Sequence, residues 1–515
     1  MSAQTLHAVP GAMVADPLAF KDNAHIVLAD PVLRRSFRGA MDFLTDKRAA
    51  QFPDLERFER LRSLGEGIRK HALAHLPDLL EQLEARLTAN GVQVHWAADA
   101  DEANRIFLDI ANHHGAKRMV KGKSMVSEEI ELNHRMAEHD IACIETDMGE
   151  YILQLDGDRP SHIIMPAIHK TKDDVSRIFA DKLPHEPYTE DDAELIAIGR
   201  RALRDEFRHA KIGVSGVNFM VAQTGSLVLV ENEGNGRLST TVPDVHIAIT
   251  GIEKVIDRLE HVAPLFTLLT RSATGQAVTT YLNIISGPRR SGERDGPREV
   301  HLILLDNGRS QAYREEHFRA TLQCIRCGAC MNHCPVYARV GGLSYGTTYP
   351  GPIGAIISPH LMNLESTRDL PTASSLCGAC GDVCPVGIPI PELLMRLREA
   401  GRHVHPAAQQ RESLKGQGAA RSILEAASWK AWRLLYSHAR LYRLFAWTAS
   451  RLRMLTPSRQ AGWTQSRSPL RPARRSLREQ LATIPTGRDT PRPLPPKGGA
   501  PHPHQEHTQR QTVEP

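Results

Sequence analysis

Nowhere in the 515 residues does an uncharged apolar run reach the ~18 positions that a membrane-spanning helix needs. Met1 to Phe20 lacks a basic segment followed by an apolar core, so a secretion signal is not expected and a soluble, cytoplasmic chain is the default. Glycine patterns are equally thin. Gly416-Gln-Gly-Ala-Ala-Arg and Gly234-Asn-Gly236 lack the three spaced glycines and downstream acid of a dinucleotide fingerprint, so no bound NAD or flavin is expected. Gly115 to Ser124 ends like a phosphate-binding loop, but Lys117 stands where a P-loop needs its first glycine, which argues against nucleotide hydrolysis. Lys121, Lys123 and Ser124 remain suited to an anionic group, such as a carboxylate, at a helix start. A plain strand-to-helix turn with a capping serine is the equal alternative.

Cysteine is scarce as well, eight residues in all, but seven of them fall in two short runs. These are Cys324-Ile-Arg-Cys327-Gly-Ala-Cys330-Met-Asn-His-Cys334-Pro335 and Cys377-Gly-Ala-Cys380-Gly-Asp-Val-Cys384-Pro385. A 4Fe-4S cube takes one soft thiolate per iron, and C-x2-C-x2-C folds three thiolates around one corner of it. In two-cluster ferredoxins the fourth cysteine, followed by proline, reaches to the other cluster. Cys324, Cys327, Cys330 and Cys384 are therefore assigned to one cluster, and Cys334, Cys377 and Cys380 to a second.

That second set is one thiolate short. Laying one run over the other puts Ser374 at the missing position, which leaves a serine oxygen, a water, a partner's residue or a three-iron cluster as alternatives. Structural zinc also uses C-x2-C pairs, but does not explain a compact quartet ending in Cys-Pro and then repeated. Disulfides fit neither the reduced thiolates that clusters require nor the missing signal. The eighth, Cys143, lies in apolar Ile141-Ala-Cys143-Ile144 and reads as a buried small hydrophobe.

Charge divides the chain unevenly. Residues 401–515 carry 20 Lys and Arg against 6 Asp and Glu, whereas residues 1–400 carry 44 against 53. Within the basic end, residues 422–455 are rich in Leu, Trp and Arg, and the last ~30 residues have the Pro, His, Gly and Gln content of a disordered tail. Upstream, residues 54–90 carry helical leucine spacing that breaks near Pro77. Val92 to Trp96 alternates as a strand, Asp101 to His113 reads as a helix, Lys117 to Lys121 as a strand, Ser127 to His139 as a helix and Ile141 to Thr146 as a strand. Strands alternating with helices of this length argue for βαβ units and a mainly parallel sheet. Further strands are expected at Ile212-Gly-Val, Ser226 to Val230, His246 to Thr250 and Leu302 to Leu305. The α/β pattern then stops. Forty-two residues separate the cysteine runs, too many for a minimal β-ferredoxin repeat, and flanks such as Glu316 to Gln323 and Pro391 to Ala400 suggest a helical ferredoxin-type domain.

Val120-Lys-Gly-Lys-Ser-Met125 with Glu128-Glu129, Glu145-Thr-Asp-Met-Gly-Glu-Tyr151, Pro160-Ser-His162 and Pro166-Ala-Ile-His169 resemble the LUD domain of lactate utilization proteins. Gln223-Thr-Gly-Ser226, Glu231-Asn-Glu-Gly234, Arg237 and Pro243-Asp-Val-His246 extend the likeness. A LUD domain, twin cysteine runs and a Trp- and Arg-rich end together resemble the lactate utilization protein B (LutB) family over roughly residues 50–480. The resemblance implies a LUD fold like that of CoA transferases and sugar-phosphate isomerases. It also implies two 4Fe-4S clusters, LutA-like and LutC-like partner subunits, and an electron-carrying role in oxidising L-lactate to pyruvate. Members share the seven-cysteine pattern. The expected organisation is an N-terminal extension (1–50), a LUD α/β domain (51–306), a two-cluster ferredoxin-type domain (310–400), a basic helical region (401–484) and a disordered tail (485–515).

Glu145, Asp147, Glu150, His162 and His169 crowd around probable strand ends, where α/β folds place ligand sites. Charged loops and caps are the bland alternative for them and for Glu231 to Arg237. The Trp429-Lys-Ala-Trp432 region reads as a basic amphipathic helix, suited to a partner subunit or peripherally to an anionic membrane. Nucleic acid is not expected, because the α/β part is acidic. The resulting reading is an iron-sulfur electron-transfer subunit of a lactate dehydrogenase system, with catalytic residues and electron acceptor both unidentified. The alternatives are a LUD domain that oxidises a 2-hydroxy acid itself, and clusters that are structural or regulatory.

Overall fold

The computed structural model describes residues 15–401, 423–460 and 468–482. Residues 15–401 belong to one compact unit, and those from 423 onward to a second.

Ten strands follow in chain order: β1 (Val92–Ala97), β2 (Arg118–Lys121), β3 (Ala142–Glu145), β4 (Ile212–Gly216), β5 (Phe219–Val221), β6 (Ser226–Glu231), β7 (Val245–Gly251), β8 (Val255–Ile256), β9 (Tyr281–Ile285) and β10 (Glu299–Leu305). Six form a wholly parallel sheet in the order β1-β10-β7-β4-β2-β3. The apolar runs of β7 and β10 sit at its centre because a parallel sheet covered on both faces needs strands apolar on both sides; every residue of β7 is buried. The remaining strands form a smaller sheet, β8-β5-β6-β9, with β6 antiparallel to both neighbours. The mainly parallel α/β expectation thus holds, followed by a helical cysteine region and helices at the C-terminal end.

Local chemistry sets the element boundaries. The helical stretch before β1 breaks at His75 into Leu55–Ala74 and Leu76–Ala89, with Pro77 in the first turn of the second helix, where its missing N–H costs nothing. The single helix expected over Ser127 to His139 is instead two, Met125–Glu129 and Leu132–Ala137, because Glu131 between them adopts φ 53°. The helix expected over Glu316 to Gln323 shortens to a 3-10 turn, Arg319–Gln323. There the chain tightens to i→i+3 bonds as it enters the first cysteine loop, Thr321 N–H donating to the Phe318 carbonyl.

The cysteine region shares a core with the α/β part. Ile68, Val221, Val228 and Leu265 belong to the same buried cluster as Cys327, Cys330, Cys334 and Cys384. Helix Pro31–Gln51 adds Met41 and Leu44 to this cluster. In the second unit, Ile423–Ser437 and Ala439–Arg451 are helical. Among the described residues, no helix is long and apolar enough to cross a membrane. The tail at 485–515 and the Gly416 pattern lie outside the described residues.

Phe107 is fully buried between the sheet and helix Ala100–His113, packed with Met119, Ile212, Ile247 and Ile303. Phe107→Ala is expected to cost about 3–5 kcal/mol of stability, measured as a drop in the denaturant midpoint with an unchanged slope.

Candidate iron-sulfur site

The two cysteine runs repeat one backbone design fifty positions apart. Arg326 (φ 61°) and Gly328 (φ 74°) flank Cys327 in the left-handed region, and Leu376 (φ 55°) and Gly378 (φ 91°) flank Cys377 in the same way. Short helices then follow at Ala329–Asn332 and Ala379–Asp382. Cys324 Sγ accepts the Arg326 N–H at 3.3 Å, and at the matching place Ser374 Oγ accepts the Leu376 N–H at 3.1 Å. Ser374 therefore occupies in the second run the position that Cys324 occupies in the first.

Cys324, Cys327, Cys330 and Cys384 line a single cavity, closed by Ile325, Ile353, Val386 and Ile388. Cys334 and Cys380 are buried, while Cys377 is exposed. Among the described residues, the single group of three or more metal-binding side chains with donor atoms within 4.8 Å of one another contains no cysteine. Tetrahedral zinc, with Zn–S near 2.3 Å, needs sulfurs ~3.8 Å apart. No three of the described thiols have their sulfurs all within 4.8 Å of one another, which is wider than that zinc spacing. Burial pushes the Cys327 thiol up to about 12 and Cys384 to about 11, so coordination must displace their protons. N–H groups already point at the sulfurs: Ile388 N–H lies 3.4 Å from Cys384 Sγ and Tyr337 N–H 3.5 Å from Cys334 Sγ.

Cations from distant parts of the chain hold the loops that carry these thiols. Arg48 Nη2 donates to the Val383 carbonyl (3.1 Å), and Arg62 donates to the carbonyls of Cys384 (2.9 Å) and Gly381 (3.2 Å). Arg69, fully buried, donates to the carbonyls of Gln323, Leu322, Val255 and Glu253. Lys254 Nζ donates to the Cys324 carbonyl at 2.7 Å. Arg326 stacks on the Tyr349 ring at 4.1 Å and faces Glu253. None of these residues was singled out from the sequence. Sequence separations of 253 to 335 between Arg48, Arg62 or Arg69 and their acceptors in the cysteine region leave no local signal.

Residues 320–388 match the 4Fe-4S dicluster domain, residues 80–305 the LUD domain, and residues 396–483 the C-terminal region of lactate utilisation protein B. Lactate utilization protein B of Bacillus pumilus (strain SAFR-032) is 46% identical over 382 residues, 74% of this chain and 80% of the relative. That of Bacillus subtilis (strain 168) is 44% identical over 382 residues, 74% of this chain and 79% of the relative. The chain belongs to the lactate utilization protein B family. An "uncharacterized electron transport protein", YkgF of Escherichia coli (strain K12), is 44% identical over 394 residues, 76% of this chain and 82% of its own. With the dicluster match and the thiol spacing, an iron-sulfur cofactor follows.

Of the LUD residues named from the sequence, Lys121, Glu145 and Glu150 come together, whereas His162 and His169 bond elsewhere. Lys121, at the carboxyl end of β2 and fully buried, donates to Glu128 (2.6 Å) and Ser127 (3.0 Å) and pairs with Glu145 (2.8 Å) at the end of β3. Burial opposes its charge, but Glu128 and Glu145 hold its pKa well above the usual lysine range. Lys123 donates to the Ile164 carbonyl, and Ser124 caps helix Met125–Glu129. The capping alternative thus describes Ser124, and both lysines are engaged within the protein. Asp147 caps helix Met148–Asp156.

His169 bridges Ser161 (2.8 Å) and Asp158 (3.0 Å). His162 accepts two backbone N–H groups at Nδ1, which puts its proton on Nε2 toward Asn332 in the first cysteine run. Burial pulls its pKa down to about 4. Glu231 accepts the N–H groups of Gly236 and Arg237. A cleft of about 760 Å³ opens beside these strand ends, lined by Glu128, Asn133, Arg159, Asn307, Thr348 and Tyr349 among others.

Glu150 is buried with neither carboxylate oxygen hydrogen-bonded, and burial, then the nearby Glu145, raises its pKa well above 4.5. As pH rises from 4.5, the unfolded Glu150 ionises while the folded one keeps its proton, so this group's contribution to stability falls with pH. Glu150→Gln removes that titration, and its stability relative to the parent is expected to rise between pH 6 and 8 in urea titrations. Lys121→Met strands buried Glu145 and half-buried Glu128 and is expected to cost about 3–5 kcal/mol in the same assay.

Proposed function

We propose that this chain is an iron-sulfur electron-transfer subunit of a system that oxidises L-lactate to pyruvate. The observation that carries the reading is the convergence of Cys324, Cys327, Cys330 and Cys384 on one cavity, in a chain whose relatives are named lactate utilization protein B. These four are the ligands of one 4Fe-4S cluster. Cys334, Cys377 and Cys380 are the ligands of the second, and the shared N–H bond of Cys324 Sγ and Ser374 Oγ supports Ser374 as its fourth ligand. When bound, each cluster exchanges one electron at a time. The protein's part is to bury the first set among Arg48, Arg62, Arg69, Lys254 and Arg326, which offset thiolate charge, and to leave the second near the surface at exposed Cys377.

Lactate oxidation removes two electrons and two protons, so the carbon chemistry belongs to another subunit, with LutA-like and LutC-like chains as the partners and an acceptor of unassigned identity. Trp429, Trp432, Phe445 and Trp447 are about half exposed on two helices that also carry Lys430, Arg433, Arg440 and Arg443. That aromatic, basic surface suits partner docking, with peripheral contact to an anionic membrane as the competing use. One observation favours a second reading, in which the LUD region holds the 2-hydroxy acid itself: the cleft beside the carboxyl ends of the strands, where α/β folds place ligands.

Cys327→Ala and Cys380→Ala are each expected to remove roughly half of the bound iron, one cluster of two, while the far-UV circular dichroism of the α/β part persists; full iron in both variants would refute the ligand sets. Electron paramagnetic resonance of the anaerobic protein with L-lactate separates the readings. Cluster reduction only with the partner subunits present supports the carrier role, and reduction by lactate with this chain alone makes it the dehydrogenase. Clusters that stay oxidised in both mixtures would leave them structural.

A further inference from the structure

The amino-terminal side of the parallel sheet, opposite Lys121 and Glu145, holds a separate group of metal-binding side chains. Glu299 and His301 are two apart on β10 and therefore project to the same face. His114 joins them from the turn after helix Ala100–His113, its carbonyl held by Lys211. His114 Nε2 lies 3.4 Å from Glu299 Oε2, and His301 Nε2 lies 3.7 Å from the same oxygen. One donor atom from each of the three falls within 4.8 Å of the others. A zinc ion with bonds of ~2.0–2.1 Å holds tetrahedral neighbours ~3.3–3.5 Å apart, close to the spacing found.

Hydrogen-bond bookkeeping points the same way. His301 is buried, and its Nε2 has no hydrogen-bond partner. Its other nitrogen, Nδ1, lies 3.0 Å from His95 Nε2 on the neighbouring strand β1. With Nδ1–H donating to His95, the bare Nε2 lone pair faces a carboxylate, an arrangement that a cation between them satisfies. A second ring nitrogen fixed by a hydrogen bond is also how ligating histidines are usually oriented. Side-chain exposures of 19% at His114 and 39% at Glu299 leave a solvent side where water completes the coordination.

We infer that His114, Glu299 and His301 bind a single divalent first-row transition ion, of which zinc is the best fit, with His95 as a positioning residue. The site has two imidazoles and a carboxylate but no sulfur, so its chemistry differs from that of the cysteine clusters and does not depend on the electron-carrier reading.

The test uses the full chain, anaerobic and loaded with iron and sulfide, stripped of loosely held metal and titrated with zinc. The parent is expected to bind one equivalent that His114→Ala and Glu299→Gln lose, with iron content unchanged in all three as the check on folding. His95→Leu, which keeps all three ligands, is expected to weaken binding about 10–100-fold. Zinc-edge X-ray absorption at one equivalent is expected to show nitrogen and oxygen neighbours without sulfur at ~2.3 Å. Binding at His502, His504 and His507 is common to every variant and cancels in the comparison. Equal zinc affinity in the parent and His114→Ala, sulfur in the absorption spectrum, or no zinc retained by the parent would each overturn the site; the last would leave His301 and Glu299 as a proton-sharing pair.

Discussion

Burying thiolates requires countercharge, and in this chain most of the countercharge comes from outside the cysteine region. Arg48 comes from helix Pro31–Gln51, Arg62 and Arg69 from helix Leu55–Ala74, and Lys254 from the turn between β7 and β8. Each binds a main-chain carbonyl of a cysteine loop or of its immediate approach, so the loop is positioned and its charge offset by one side chain. Burial lowers the pKa of Arg69 to about 10 even though Glu253 and Cys324 beside it act to raise it. Cation and thiolate are each costly to bury alone and mutually stabilising together. This accounts for a cysteine region that shares a hydrophobic core with the LUD region rather than hanging from it on a linker.

A second buried network ties the same parts together. Arg309 donates twice to Glu129 at 2.8 Å and once to Glu253 at 2.7 Å, and Glu129 also accepts from Tyr349 and Asn307. Burial works against both carboxylates, yet Arg309 beside them holds Glu253 at about 2 and Glu129 below its usual range. The bidentate guanidinium geometry is what makes such a pair tolerable without water. Through Glu253 the network reaches Arg326 and hence the loop between Cys324 and Cys327. Ion pairs and hydrogen bonds thus run without a break from the LUD helix Met125–Glu129 to the first cysteine loop.

Much of this was legible in the sequence, because periodicity and metal-ligand spacing are local properties. Alternating residues at Val92 to Trp96 became β1, and the continuous apolar runs at His246 to Thr250 and Leu302 to Leu305 became the two buried central strands. The split of the helix after Ser124 was not legible, since it turns on one residue, Glu131, adopting a left-handed conformation that its type does not favour. Acidic and histidine residues around Glu145 looked like one site by proximity in sequence. In space Asp147 caps a helix, His169 buttresses a loop and His162 faces the cysteine run, because the same short motif spans a strand end, a helix start and a crossing loop. The arginines around the thiols carried no sequence signal, since their partners are carbonyl oxygens, which every residue possesses.

The two thiol groups are electrostatically unequal. Arg48 faces Cys327 and Cys384, and Arg62 faces Cys384, whereas the charged neighbours that act on Cys334 and Cys380 are other thiols. Positive charge close to sulfur favours the reduced, more negative state, while burial disfavours it; in the second set Cys334 and Cys380 are buried and Cys377 meets solvent. Cys330 and Cys334 lie four residues apart across helix Ala329–Asn332, with Tyr337 and Tyr345 packed beside them, so one short rigid segment joins both groups. The first group is held by Arg48, Arg62 and Lys254, and the second reaches the surface at Cys377. Helices Pro31–Gln51 and Leu55–Ala74, together with Lys254, then contribute countercharge to the cysteine region whether or not the cleft binds a substrate.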